Sequence, residues 1–259
     1  MKLKLKAVVA AVALAAAGHA LADIQPGNLT SGATGGEVVF YAFDDVTKTS
    51  YVKDLGVSFA SFLSSPTYSF AGSNNIGSDA SWTSFVTSVG GNTSNTYWGV
   101  FANLKTSALS ANGVQIITTA RNNAPAGTST GNVRGIDGSY NSTYLGALQG
   151  SGSNYAANLS YFSSATDSSN WANAMQHNLA GKVNFSADNL IGQNADFFKL
   201  SAAASATTLA TQSTVFSGPT QWSFDGSTLY VAAVPEPETY GMLAAGLLML
   251  GAVARRRKA

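Results

Sequence analysis

The stretch that most constrains this chain is its end. There the uncharged run Gly241 to Ala254 is preceded by Val234-Pro235-Glu236-Pro237 and closed by Arg255, Arg256, Arg257 and Lys258. Fourteen residues of helix at about 1.5 Å each reach only ~21 Å, short of the roughly 30 Å hydrocarbon core of a bilayer. The four cations hold the far end on the cytoplasmic side, which places everything before Val234 outside. Pro235 and Pro237 fix φ and remove two backbone donors, so this segment is predicted to be extended and open to an enzyme. The packed core must therefore come from residues further upstream.

The order Pro-Glu-Pro, apolar helix, Arg-rich end, written here as VPEPETYGMLAAGLLMLGAVARRRK, resembles the PEP-CTERM sorting signal of exported bacterial proteins. The resemblance implies a membrane-embedded exosortase that cuts near the Pro-Glu-Pro, in bacteria that make exopolysaccharide. The residues carrying that role are Val234, Pro235, Glu236, Pro237, Arg255, Arg256 and Arg257. The signal spans 234–259, with the motif at 235–237, the apolar helix at 241–254 and the basic tail at 255–258. It is an address and carries no activity. The mature protein is expected to lack Arg255 to Ala259, and an intact mass that retains them would remove this reading.

The other end agrees. Lys2, Lys4 and Lys6 precede the apolar run Ala7 to Ala17, and Ala20 and Ala22 are the small residues that signal peptidase requires. Residues 1–22 are thus predicted to be a signal peptide cut before Asp23, with a transient membrane stage before processing at the other end. Without its two ends the chain keeps seven cations against eleven acids, about −4 instead of +1. A mildly acidic body with scattered cations offers no footprint for nucleic acid. Cysteine is absent, which excludes disulfides, thiolate nucleophiles and Cys-ligated metals.

Residues 23–233 are expected to form one mainly β domain, sandwich-like, with a few short helices. Short apolar runs alternate with Gly, Ser, Thr and Asn, and only 10% of the chain is charged, a texture suited to strands and to a hydroxyl- and amide-rich surface. Glu37 to Phe43 and Thr49 to Asp54 read as a hairpin, and 57–63 as a third strand or short helix. The stretch EVVFYAFDDVTKTSYVKDLGVSF is also similar to the opening of some PEP-CTERM bodies. A helix capped by Ser78 or Asp79 is predicted to run to Val89, because Trp82, Phe85, Val86 and Val89 share a face before Gly90-Gly91. Strands are predicted over 96–104, 113–120, 196–200, 209–216, 221–224 and 227–231, and helices over 141–148 and 169–179. Asp225-Gly226 signals a hairpin with a type I′ turn. Residues 122–138 read as a loop.

The search for chemistry assigns no catalytic residue, metal or cofactor. Gly127-Thr-Ser-Thr-Gly131 has the letters of a nucleophile elbow but no strand–turn–helix context, and His177, the one histidine of the body, sits in a polar Gln-His-Asn stretch that suggests the surface. Asp137-Gly-Ser-Tyr-Asn141 begins like a calcium loop and then departs from it at Ser142 and Leu148. A looser oxygen site using Asp137, or Asp44 and Asp45, stays open. Asp44 and Asp45 are adjacent strand residues and do not converge for acid–base work. Trp82 and Trp98 are expected in the core. Tyr140, Tyr144, Tyr155 and Tyr161 lie in an Asn/Ser-rich stretch and are expected to be exposed, as a patch for contact with a glycan such as exopolysaccharide. The sequence thus points to an exported cell-surface or matrix protein with a non-catalytic structural or adhesive role linked to exopolysaccharide or biofilm. The competing reading is a secreted carbohydrate-active enzyme.

Overall fold

The computed structural model describes residues 36–64, 75–105, 113–121, 127–145, 160–167, 170–203, 205–216 and 221–231. The predicted first hairpin is present. Strand β1 (Glu37–Asp44) pairs antiparallel with β2 (Ser50–Ser58), with Tyr41 opposite Val52. Every residue of β1 after Glu37 is buried, so this strand is covered on both faces. Its turn is held by Asp44, whose Oδ1 accepts from the amides of Val46 (3.0 Å) and Thr47 (2.7 Å).

On the other edge of β1 lies β3 (Thr96–Lys105), followed outward by β4 (Val114–Ala120). The short β5 (Ser160–Ser163) pairs with β2, and β6 (Asn189–Leu190) pairs with the start of β3. Strand β7 (Asn194–Ser201) follows β4, and its far edge is shared by β8 (Thr211–Phe216) and β9 (Trp222–Phe224), with β10 (Leu229–Val231) outermost. The ten strands found among the described residues all belong to one antiparallel sheet.

This sheet is curled. Four strand steps separate β1 from β9, about 19 Å on a flat sheet at ~4.8 Å per step. The rings of Phe40 on β1 and Phe224 on β9 nevertheless meet with centroids 4.9 Å apart. The expected sandwich of two stacked sheets is therefore corrected to a single sheet that bends back over its own face.

Strand alternation divides the core in two. Phe40, Trp98, Val100, Ile117, Phe197, Trp222 and Phe224 face one side, where α1 (Phe59–Ser64) and α2 (Ala80–Ser88) add Phe62, Trp82 and Phe85. Tyr41, Phe43, Phe101 and Ile116 face the other, covered by α3 (Thr130–Gly138), the π-helical turn Ser139–Leu145 that continues it, and α4 (Trp171–Ala174). The helix α3 corrects the loop expected over 122–138. Three glycines weaken its helical propensity, but Val133, Ile136, Tyr140 and Tyr144 recur every three to four residues and bury one continuous face.

Two local devices show how short polar residues organise these elements. Asp79 caps α2 by accepting from the Ser81 amide at 2.9 Å, and also receives Lys53 Nζ at 2.8 Å and Ser160 Oγ at 2.8 Å. It thereby ties α2 to both β2 and β5. Asp79→Ala is expected to cost about 2 kcal/mol, a cap's usual ~1 kcal/mol plus a similar loss from the two side-chain partners; urea unfolding measures it. The final hairpin forms as predicted, but its turn is longer. Leu229 pairs with Phe224, leaving Asp225–Thr228 as a four-residue loop in which only Gly226 has positive φ (+100°). Asp225 Oδ1 accepts from the amides of Ser227 (2.8 Å) and Thr228 (2.7 Å), replacing the type I′ geometry with a side-chain-built turn.

Candidate functional site

The aromatic patch predicted at Tyr140, Tyr144, Tyr155 and Tyr161 is corrected at its first two members. Tyr140 and Tyr144 are fully buried, packed on Phe101 and Trp171 in the helical half of the core. Their polar sequence neighbours misled: Ser142 and Thr143 turn to the exposed face of the helix, while Asn141 reaches back to Asp137. Tyr161, on β5, is half-buried against the same cluster. Tyr155 lies outside the described residues, as do Ala20, Ala22, Val234, Pro235, Glu236, Pro237 and Arg255 to Arg257. Trp82 and Trp98 are in the core as expected, joined by Trp171 and Trp222.

Ser129 of the elbow-like motif is the N-cap of α3, its Oγ accepting from the Asn132 amide at 3.2 Å. His177 is not a free surface side chain. Its Nδ1 lies 2.8 Å from Asp188 Oδ2 and its Nε2 lies 3.4 Å from Asp45 Oδ2, while the ring packs on Phe43 and Tyr97. Asp188 has no exposure, and its other oxygen receives Arg121 at 3.1 Å. The Arg121 guanidinium sits 5.2 Å above the Tyr97 ring, and Asp45 is also paired with Lys48 at 2.7 Å.

This constellation joins the β1–β2 turn, the end of β4 and the segment before β6. The Asp188 carboxylate at Nδ1 raises His177 above the usual imidazole range, with Asp45 adding to the pull and burial opposing it. Asp45 is lowered by Lys48 and His177. Burial pushes the Asp188 carboxyl up, against His177 and Arg121. Both ring nitrogens of His177 face carboxylates, and the arrangement ties these segments together as an electrostatic clamp. Sequence offered no signal for it, because Asp45 is remote in the chain and meets His177 only through the fold.

A second polar cluster lies under the helical layer. Asp137 at the end of α3 is almost fully buried, and its Oδ1 accepts from Asn103 Nδ2 (2.6 Å) on β3 and Asn141 Nδ2 (2.9 Å) one turn on. Lys105 Nζ lies 4.0 Å from Oδ2. Burial raises the Asp137 carboxyl, with the two amides and Lys105 acting in the other direction. Among the described residues no three His, Cys, Asp or Glu side chains gather as a metal cluster, and no helix is long and apolar enough to cross a membrane.

Comparison with known proteins addresses the tail. Residues 233–258 match the PEP-CTERM protein-sorting motif. The motif identifies an exported, envelope-associated protein that is a substrate of exosortase sorting. It covers only the tail, and neither a curated protein nor a solved structure matches the chain. The role of the β body therefore has to be argued from its own residues.

Proposed function

We propose that this protein is a non-catalytic structural or adhesive component of the cell envelope or extracellular matrix, delivered by the PEP-CTERM tail after signal peptidase has removed residues 1–22. The observation that carries this reading is the fate of the reactive side chains. His177 has both nitrogens held by carboxylates, Ser129 spends its hydroxyl as a helix cap, and Asp44 closes a turn. A carbohydrate-active enzyme needs two carboxylates facing across space for a sugar, whereas Asp45 and Asp188 converge on the same imidazole.

The described surface carries many hydroxyl and amide side chains, among them the exposed Thr83, Ser84, Thr87, Asn92, Ser94 and Asn95. Such a surface suits weak, repeated contact with exopolysaccharide, where many shallow interactions add through high local concentration. The test uses the exported protein and the exopolysaccharide of its source. Co-sedimentation should be retained when His177→Gln is introduced, with no release of reducing sugar from either form. Saccharide release by the wild type that His177→Gln abolishes would overturn the proposal in favour of the enzyme.

A further inference from the structure

The cluster around Asp137 holds more oxygen than it has donors to satisfy. Asp137 Oδ1 takes both amide groups, of Asn103 and Asn141, at 2.6 and 2.9 Å. Asn103 Oδ1 and Asn141 Oδ1 are buried and accept no hydrogen bond, and Asn103 itself has no exposure. Asp137 Oδ2 lies 4.0 Å from the Lys105 ammonium, beyond hydrogen-bond distance. An amide oxygen lies about 2.3 Å from its own nitrogen, a distance set by standard amide geometry. Both orphaned oxygens are therefore held within ~5 Å of Asp137 Oδ1.

Two buried amide oxygens without donors thus lie beside one carboxylate, where β3 meets the junction of α3 with its π-helical turn. Buried acceptors without donors are costly unless something electropositive supplies the missing interaction. Carboxylate and side-chain amide oxygens are the ligands that hard cations take, and π-helical turns occur frequently at functional sites.

We propose that Asp137, Asn103 and Asn141 form a binding site for a hard metal cation of the calcium class, gated by Lys105. The fold explains how residues that fail as a linear calcium loop still assemble one. Asp137 and Asn141 stand one turn apart on the same helical face, and Asn103 reaches them from the strand beneath. Lys105 is 37% exposed, so its long side chain can leave for water when the metal enters. The ammonium then acts as a built-in competitor, and affinity is set by the exchange of one cation for another.

The experiment titrates the full-length chain in mild detergent with terbium, a luminescent probe for calcium-type sites, then displaces it with Ca²⁺, Mg²⁺ or K⁺. Tyr140 follows Asp137 by one turn and Trp171 packs against Tyr140 (6.2 Å), so sensitised terbium emission is expected. Ca²⁺ should quench it and raise the unfolding midpoint. Asp137→Asn should weaken binding about tenfold or more, because ligand charge sets affinity in such sites. Lys105→Gln, at a partly exposed position that leaves the core intact, should tighten binding several-fold. The proposal is overturned if neither the wild type nor Lys105→Gln shows any cation-dependent emission or midpoint shift. It is equally overturned if displacement by Ca²⁺ is unchanged in Asp137→Asn.

Discussion

Gly99→Ala is expected to destabilise the fold by about 3–5 kcal/mol, as the sum of overpacking and broken buried hydrogen bonds. Gly99 lies on β3 opposite Tyr41 on β1, and the tyrosine ring crosses directly over it. A Cβ there would collide with the Tyr41 phenol and stand 2.7 Å from Thr119 Oγ1. Neither neighbour is free to withdraw. Tyr41 Oη and Thr119 Oγ1 both donate to the Ala187 carbonyl, at 3.0 and 2.6 Å, and Tyr41 is stacked on Trp171 with centroids 4.0 Å apart. One added methyl therefore disturbs the sheet, the α4 packing and the anchor of the segment that carries Asp188. The measurement is the urea unfolding midpoint. A loss below ~1 kcal/mol, the size of a simple strand-propensity change, would show that Tyr41 moves aside freely and that the Ala187 anchor is not a fixed point.

How far the sequence could be read depended on the range of the interaction. The hairpin of β1 and β2, the Asp79-capped α2 and the final hairpin were legible, because a capping carboxylate, a glycine turn and a burial period all act within about ten residues. The failures have one physical cause. Tyr140 and Tyr144 looked exposed because Asn141, Ser142 and Thr143 surround them in sequence, and α3 looked like a loop because Gly131, Gly135 and Gly138 interrupt it. In both cases tertiary burial outweighed local preference. The spacing of Val133, Ile136, Tyr140 and Tyr144 was the signal that could have decided the matter. The curl of the sheet had no local signal at all, since it depends on Phe224 closing over Phe40. The Asp137 cluster was half legible: the acid and Asn141 stood out in the chain, while Asn103 came from a distant strand.

The clamp on His177 gives the second large effect, and its sign can be worked out group by group. Asp188→Ala is expected to cost about 3 kcal/mol, the lower end for removing one partner of a buried ion pair, because Arg121 keeps partial access to water. The pH profile is more diagnostic. His177 is raised in the folded state, so its contribution is complete below the unfolded value of about 6.5 and is lost as pH rises through the folded value. Asp188, raised by burial, loses stability in the same direction, from about 3.9 upward. Asp45 is lowered, so its contribution is present above about 3.9 and disappears as pH falls through its folded value. The clamp's contribution to stability should therefore peak in weakly acidic solution and fall toward the alkaline side. A neutral imidazole carries one N–H for two carboxylates, so deprotonation must release Asp45 or Asp188, and the exposed Asp45 contact is the one expected to open. His177→Gln should flatten the decline above pH about 6.5 while keeping the part of the acid limb that Lys48 sets on Asp45. Urea midpoints across the pH range decide this, and parallel profiles for wild type and His177→Gln would show that the imidazole is not the proton carrier that holds the β1–β2 turn against the segment before β6.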